Sequence, residues 1–292
     1  MGSVYAYYSC LDYAPYTNRK RLICTNPKWE EEMGHKQYQD LLQKFKGDIL
    51  PADHRACVTV KRVGSRIAAA AQSFSAQYRH ATAGAKNAPY TYTVVRSAEA
   101  NAFVIPGNHV FVLTGLFRYA HNEDDLASVL GHEMAHNLAR HAGERVSESI
   151  FMTILSRLVL ILDPTGILFT LLAPAQQLLV ALPHSREHEI EADKIGIVLA
   201  SEACYDPRSA KIVFSRMKED GGNNKSVPQP EFISTHPGYE TRLSYFDKWM
   251  PDALERYNKD GGNKCRAIRE EMKRARKMAA SMHNASERRR SR

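Results

Sequence analysis

Residues 122–138, Asn-Glu-Asp-Asp-Leu-Ala-Ser-Val-Leu-Gly-His-Glu-Met-Ala-His-Asn-Leu, decide how the centre of this chain folds. Asn122, with an acidic residue three positions later, resembles a capping box, and the three acidic residues of the first turn suit the positive end of a helix. Apolar residues then repeat every four positions and predict one buried stripe: Leu126, Leu130, Met134 and Leu138. The pattern predicts a helix that closes near Gly143 and Arg145.

The same helix carries His132-Glu-Met-Ala-His136, a metal-binding motif. Residues four apart lie on one helix face, so both imidazoles can reach one zinc ion. Glu133 is rotated by about 100° from His132, which keeps it off the metal but within reach of a water molecule there. A chance match on an ordinary helix is the alternative. The clear start and apolar repeat of the predicted helix, and the small neighbours Gly131 and Ala135, argue against a chance match.

Catalytic zinc needs a third protein ligand and one open position. The extended motif with a third histidine six residues after His136 is excluded, because that position is Ala142. We interpret His141 as a surface histidine, since it falls on another face of the predicted helix.

The third ligand is expected in His184-Ser-Arg-Glu-His-Glu-Ile-Glu-Ala-Asp-Lys-Ile-Gly196, a predicted helix. Four of its residues compete: Glu187, His188, Glu189 and Glu191. Glu189 shares a face with small residues and with Asp193, which suits close packing against another helix, so we assign Glu189. Glu187 and Glu191 fall on a face that reads as solvent-exposed, and His188 stays open as an alternative.

Asp193 lies one turn after Glu189 and would accept a hydrogen bond from a ligating imidazole, which fixes its tautomer. An ordinary helix salt bridge is the alternative interpretation of Asp193.

Together, the H-E-x-x-H motif and Ser185-Arg186…Glu189…Glu191-Ala-Asp193…Gly196 resemble the gluzincin family of membrane-associated zinc metallopeptidases. That family includes the CAAX prenyl proteases and the HtpX-type proteases, and the resemblance is strongest to its mitochondrial inner-membrane branch and to bacterial periplasmic relatives. The segments 101–107, 110–116 and 234–242 agree as well, so the resemblance covers about residues 12–250.

The resemblance implies further roles. Phe103, Val104 and Ile105 would belong to a sheet edge beside the metal, to which an extended polypeptide substrate can add by main-chain hydrogen bonds. His236 would lie near the metal, either in its open position or bonded to the reaction intermediate; a histidine capping the next helix is the alternative. Arg242 would anchor that turn or the Glu189–Asp193 helix, although an ordinary surface arginine fits the sequence equally well.

Composition bounds the remaining expectations. The chain has 292 residues and a formal net charge of +8, with much of the excess in a C-terminal run that we interpret as solvated. No aromatic spacing typical of nucleic-acid modules is present, so we expect no nucleic-acid partner. The odd count of five cysteines, with no C-x-x-C spacing, argues against a disulfide framework and leaves room for a single bridge.

Residues 150–182 are strongly apolar, but their interruptions leave neither half long enough to span a membrane. Buried helices and helices lying against a membrane are equally compatible with this segment. We expect a membrane surface as a partner and a mitochondrial inner-membrane location by resemblance, with another membrane-associated compartment as the alternative. Association of copies of the chain is a further expectation.

The predicted architecture is α+β: a mainly helical metallopeptidase domain with a small mixed β-sheet over the H-E-x-x-H helix. We divide the chain into an N-terminal segment, 1–53, a metallopeptidase domain, 54–250, and a basic C-terminal helix and tail, 251–292. The predicted function is zinc-dependent endoproteolysis of membrane-associated or misfolded proteins in mitochondrial quality control. A zinc-stabilised chaperone and a membrane assembly factor are the competing functions.

Overall fold

Helices around one central helix, together with two small sheets, make up the part of the chain that the computed structural model describes. That part comprises residues 8–14, 16–77, 89–163, 165–167, 170, 186–223, 232, 235–236, 239–259 and 265–274. The elements in chain order are β1 (Leu11–Tyr13), β2 (Lys20–Leu22), α1 (Pro27–Lys44), α2 (Arg55–Gln77), β3 (Thr91–Val95), β4 (Ala102–Ile105), β5 (His109–Leu113), a 3-10 turn (Thr114–Arg118), α3 (Glu123–Leu138), α4 (His141–Leu162), α5 (Arg186–Glu202), α6 (Arg208–Asn223) and α7 (Tyr239–Tyr257). A helix α8 covers 265–274. The predicted mainly helical α+β architecture is confirmed.

Helix α3 is the buried centre of the fold. Its cap Asn122 accepts a hydrogen bond from the backbone N–H of Asp125 at 2.9 Å, as the capping pattern predicts. Every residue of the helix except Asp124 and Asn137 is buried, because α2, α5, α6 and β4 all pack against it. The helix that carries the metal motif is therefore enclosed on all sides, not along one stripe.

The end of α3 differs from the prediction. The helix was expected to continue to about Gly143, but it ends at Leu138, and α4 begins directly after Arg140. Arg140 has a φ of 56°, in the left-handed region that disfavours residues with a side chain. Its guanidinium donates to the Glu30 carboxylate at 2.6 Å and to the Thr25 carbonyl at 2.8 Å. Contacts with the N-terminal segment thus stabilise the break between α3 and α4, which the local sequence does not reveal.

Helices α3 and α5 touch through two glycines. A Cβ atom at Gly131 would lie 2.8 Å from the carbonyl oxygen of Gly196, and one at Gly196 would lie 2.9 Å from the backbone nitrogen of His132. Only glycine permits so close an approach of two backbones. The contact brings the acidic first turns of α5 alongside His132.

The three-stranded sheet lies over α3, as predicted. β5 is central; it pairs with β3 in parallel and with β4 in antiparallel register, so the sheet is mixed. Gly107 and Asn108 both have positive φ, the backbone that a tight hairpin between β4 and β5 requires. β4 packs on α3 and is an edge strand of this sheet, so one side of its backbone faces away from β5.

The N-terminal segment adds a helix that the sequence analysis did not anticipate. Strands β1 and β2 form a small antiparallel ladder, and α1 follows, capped by Asn26 with Pro27 in its first turn. Helix α1 packs against β4 and β5. Gly34 sits so close to Pro106 that a Cβ atom could not be accommodated, which fixes α1 beside the hairpin of the main sheet.

The expectation that cysteines form no disulfide framework was wrong. The structure pairs Cys10 with Cys24 and Cys204 with Cys265, while Cys57 is free. The bridged Cα atoms lie 4.6 and 5.0 Å apart, within the span that a disulfide needs. Count and local spacing missed the bridges because both are made by tertiary proximity.

Helix α4 resolves part of the question about the apolar segment. Its C-terminal half exposes large apolar side chains: Ile150, Phe151, Ile154, Leu155, Leu158, Leu160, Ile161 and Leu162. The interpretation of this half as a buried helix was therefore wrong. Among the described residues, no helix combines the length and apolarity needed to cross a bilayer. Most of 168–185 lies outside the described residues, as do Ser185, Ser234, Pro237 and the C-terminal tail.

Candidate active site

Four buried side chains converge where α3, α5 and the segment before α7 meet. The ligand-type atoms of His132, His136, Glu189 and His236 all lie within 4.8 Å of one another. Glu189 places one carboxylate oxygen 3.4 Å from Nε2 of His132 and the other 3.4 Å from Nε2 of His136. The structure thus brings together the two motif histidines, the acid chosen from four candidates, and His236.

The other three candidates on α5 point elsewhere. Glu187 is exposed. His188 is buried and lies 3.2 Å from Glu144 on α4. Glu191, predicted to be solvent-exposed, is buried instead, because the N-terminal segment covers the face of α5 that the helix pattern left open.

The chemistry of these donors fits a zinc ion. Zinc in proteins takes histidine nitrogen and carboxylate oxygen, and its sites are close to tetrahedral. The Nε2 atoms of His132 and His136 face each other at 3.1 Å, around one carboxylate in a buried pocket. Such a convergence of nitrogen lone pairs and a carboxylate is unfavourable without a cation between them.

Glu133 lies beside the four-residue cluster. Its Oε1 atom is 3.4 Å from Nε2 of His236, and it has no hydrogen-bond partner among the described residues. Burial raises the pKa of Glu133, while the nearby His236 and His132 oppose that rise. A buried carboxyl group with a raised pKa and a free oxygen is suited to accept a proton and release it.

A carboxylate and an arginine support His132 on its Nδ1 side. Its Nδ1 lies 2.9 Å from Oδ1 of Asp193, and Arg242 donates to both oxygens of Asp193 at 2.7 and 2.8 Å. Arg242 also lies 3.0 Å from Glu189 and donates to the His236 carbonyl. Burial acts to lower the pKa of His132, but the bonds to Asp193 and Glu189 outweigh it and raise it to about 9.

Burial likewise acts to raise the pKa of Asp193, and Arg242 outweighs it and lowers the value. Asp193 is therefore ionised in the folded protein. The structure thus places Asp193 against one of the two motif imidazoles, and Arg242 against both the Asp193 side chain and the backbone of His236.

His136 is held differently, by residues that the sequence analysis misassigned. His141 is fully buried, not a surface histidine, and its Nδ1 lies 2.7 Å from Nδ1 of His136. Its Nε2 lies 3.0 Å from Glu191, which also bonds to Arg19 at 2.8 Å and to Thr17. The left-handed turn at Arg140 rotates His141 toward His136. If α3 continued as one helix through residue 141, the His141 side chain would fall on another face.

A cleft opens over the cluster. The cavity has a volume of about 360 Å³ and is lined by Glu133, His136 and His236 on one side and by β4 residues, including Phe103 and Val104, on the other. Ile105, the third predicted substrate contact, is buried in the apolar cluster between the sheet and α1. An extended chain lying along β4 would pass the Glu133 carboxyl group.

Comparisons with known proteins agree with this geometry. The profile of Peptidase family M48 matches residues 61–250. "Mitochondrial metalloendopeptidase OMA1" of Schizosaccharomyces pombe is 34% identical over 256 residues, which cover 86% of this chain and 70% of that protein. The protein of the same name in Saccharomyces cerevisiae is 32% identical, with 86% and 72% covered.

A bacterial relative matches over a shorter stretch. The "Beta-barrel assembly-enhancing protease" of Yersinia pestis is 32% identical over 175 residues, which cover 56% of this chain and 35% of that protein. The profile match spans more than half of the chain and includes every residue of the buried cluster. The chain therefore belongs to peptidase family M48 and is a metalloendopeptidase.

Proposed function

We propose that this chain is a zinc-dependent endopeptidase whose metal is bound by His132, His136 and Glu189, with Glu133 as the general base and acid. The observation that carries the proposal is the convergence of these three side chains, with Glu133 beside them, in one buried pocket that opens to a cleft. Three protein ligands leave one position for reaction, as catalytic zinc requires.

A zinc ion bound here supplies a Lewis acid that lowers the pKa of water toward ~7 and polarises the scissile carbonyl. The protein's own groups do the rest. Glu133 takes the proton of the attacking water on a carboxylate oxygen and later passes it to the nitrogen of the departing amine. Its raised pKa suits the first half of that transfer, because a stronger base accepts the proton more readily.

The role of His236 follows from its position. Its Nδ1 lies 3.0 Å from both oxygens of Glu189, and its Nε2 lies 3.4 Å from Glu133. From there it can stabilise the negative oxygen that develops at the scissile carbonyl, or occupy the open metal position when substrate is absent. Arg242 positions His236 by donating a hydrogen bond to its backbone carbonyl.

Substrate would lie along β4 as an added strand. The side of β4 away from β5 faces the cleft, and main-chain hydrogen bonds there bind any extended polypeptide with little regard to its sequence. Phe103 and Val104 would contact substrate side chains. Such a site suits unfolded or misfolded segments, which offer extended backbone.

We further propose that the protein works at a membrane surface, in mitochondria. The exposed apolar half of α4 is much larger than the isolated apolar side chains of an ordinary soluble surface. The two fungal relatives are named as mitochondrial, which supports a mitochondrial location. Attachment to the inner membrane, protein quality control and self-association are further parts of the proposal, and the relatives' names do not bear on them.

Replacing Glu133 tests the catalytic assignment. Glu133→Gln keeps the shape of the side chain but removes its basicity, so we expect kcat for casein-type cleavage to fall about 10²–10⁴-fold. Zinc content, measured by metal analysis, should stay at one ion per chain. Unchanged cleavage would overturn the assignment of Glu133, and a zinc-free wild-type protein would overturn the metal site.

The four-donor cluster also gives grounds for a second function. With His236 as a fourth ligand, the site would be closed and structural, as in a zinc-stabilised chaperone. His236→Ala distinguishes the two. In an enzyme the variant keeps its zinc and changes its cleavage rate, whereas in a structural site it loses zinc and stability together.

Flotation with liposomes tests the membrane proposal. Replacing Ile154, Ile161 and Leu162 with Ser should abolish flotation on vesicles that contain anionic lipid, because each exposed apolar side chain contributes about 1.5–3 kcal/mol when buried. Replacing the exposed Ile212 on α6, with Ser, should leave flotation unchanged. Equal flotation of wild type and the triple variant would contradict the proposal.

A further inference from the structure

The hydrogen bonds on the Nδ1 side of His136 permit only one arrangement of protons in which His136 can bind a metal. An imidazole that binds through Nε2 carries its proton on Nδ1, so Nδ1 of His136 must donate. Its partner, 2.7 Å away, is Nδ1 of His141, which must therefore accept. His141 then carries its proton on Nε2 and donates it to Glu191, 3.0 Å away. The chain of bonds runs in one direction, from the metal ligand to the carboxylate.

The far end of this chain is anchored outside the motif helices. Glu191 is held by Arg19 at 2.8 Å and by the hydroxyl of Thr17. Both residues lie in the loop that joins β1 to β2. Arg19 also donates to both oxygens of Glu144 on α4 at 2.7 and 2.8 Å, so one guanidinium ties α4 and α5 together.

Burial makes these contacts specific. His141, Glu191 and Glu144 are all almost inaccessible to water, and a buried carboxylate is costly unless it is paired. Glu191 therefore cannot turn away from His141 and Arg19 toward solvent. This leaves His141 one stable orientation, with Nδ1 facing His136.

We propose, on the basis of the zinc site argued above, that His141 is the positioning residue of the His136 ligand. Glu191 and Arg19 hold His141 in place. The loop between β1 and β2 therefore contributes to the orientation of the His136 ligand. Residues of this kind, which bond to a metal ligand, usually contribute about 10–100-fold to metal affinity.

Zinc affinity of the purified full chain, measured by competition with a chromogenic chelator, tests the proposal without relying on cleavage. We expect His141→Ala to weaken zinc binding about 10–100-fold. His141→Asn should recover part of the loss, because its side-chain oxygen can accept from Nδ1 of His136 but cannot reach Glu191. Arg19→Met should weaken binding by about tenfold, the lower end of the same range.

A control is Arg256→Met, since Arg256 makes ion pairs with Glu202 and Asp252 and has no ion pair with Glu191 or Glu144 among the described residues. Its zinc affinity should equal that of the wild type. The absorption bands of the cobalt-substituted protein give a second reading: they should shift in His141→Ala and Arg19→Met and stay unchanged in Arg256→Met.

The outcomes separate the two proposals. If the wild type binds no stoichiometric zinc, the proposed function fails. If the wild type binds zinc and a folded His141→Ala binds it equally well, the positioning role fails and the zinc site stands. Should His141→Ala not fold, Arg19→Met decides, because it leaves both histidines in place; wild-type affinity and cobalt bands there would overturn the role of the loop.

Discussion

The two motif histidines sit in one pocket but are supported in different ways. Behind His132 stands a carboxylate, Asp193, clamped by Arg242. Behind His136 stands another imidazole, His141, and only then a carboxylate and Arg19. Each side ends in an arginine, but Arg242 is fully buried, whereas the Arg19 side chain is 21% exposed.

The difference lies in which part of the chain supplies the support. The His132 side is built within residues 61–250, the region that matches the family. The His136 side takes Arg19 and Thr17 from the N-terminal segment, outside that region. A bonded carboxylate also raises the basicity of a ligand imidazole directly, while an intervening neutral imidazole transmits less of that charge. The first side is thus the stronger electrostatic support and the second is a link between segments.

The largest expected effect is on the His132 side. Arg242→Met would remove the buried arginine that pairs with Asp193 and Glu189, and breaking such a pair costs about 3–5 kcal/mol. Urea unfolding in the presence of a metal chelator measures this loss. A loss under 1 kcal/mol would show that Arg242 is dispensable and would remove the contrast between the two sides.

A smaller loss is expected on the His136 side. Arg19→Met leaves Glu191 and Glu144 each with histidine contacts, and Arg19 is partly exposed, so we expect about 1–3 kcal/mol in the same unfolding experiment. Arg256→Met, a surface arginine of similar exposure, should cost no more than about 1 kcal/mol. If Arg19→Met costs as much as Arg242→Met, the two supports are equivalent.

The smallest effect is a difference in pH dependence. Burial acts to raise the pKa of Glu144, but bonds from Arg19 and His188 lower it well below its ordinary 4.5. The unfolded chain takes up this proton near pH 4.5 and the folded protein does not, so the stability from Glu144 is complete above that pH and is lost as the pH falls below it.

Arg19→Met should therefore lose less stability than the wild type when unfolding midpoints are compared at about pH 6 and about pH 4. Parallel loss in both proteins would mean that Arg19 does not set the ionisation of Glu144. Arg256→Met serves again as the control and should follow the wild type.

Local patterns predicted much of the centre of the molecule. The cap at Asn122 and the start of α3 follow from capping chemistry and apolar periodicity, which act over a few residues. Glu189 was chosen over its neighbours because it shares a helix face with Gly196, and that glycine does contact α3. These features could be predicted because periodicity alone places the side chains.

Other features could not be predicted in this way. Helix α1 has the start signal Asn26-Pro27 but a polar sequence, and its position comes from packing on β4 and β5. His141 and Glu191 were assigned to the surface because each was projected from a single helix. The break at Arg140 and the cover provided by Thr17 and Arg19 reverse both assignments.

The sequence by itself determined the metal chemistry of this protein: two imidazoles one helical turn apart, a carboxylate between them and an acid on a second helix. Spacing along one helix is a local property, fixed by the geometry of the backbone. Only the tertiary structure decided what supports each imidazole, because those partners come from segments more than 50 residues away in several cases, as with Arg19 and Glu191, 172 residues apart. Buried charges must find partners wherever the fold brings them, and no local pattern encodes that choice.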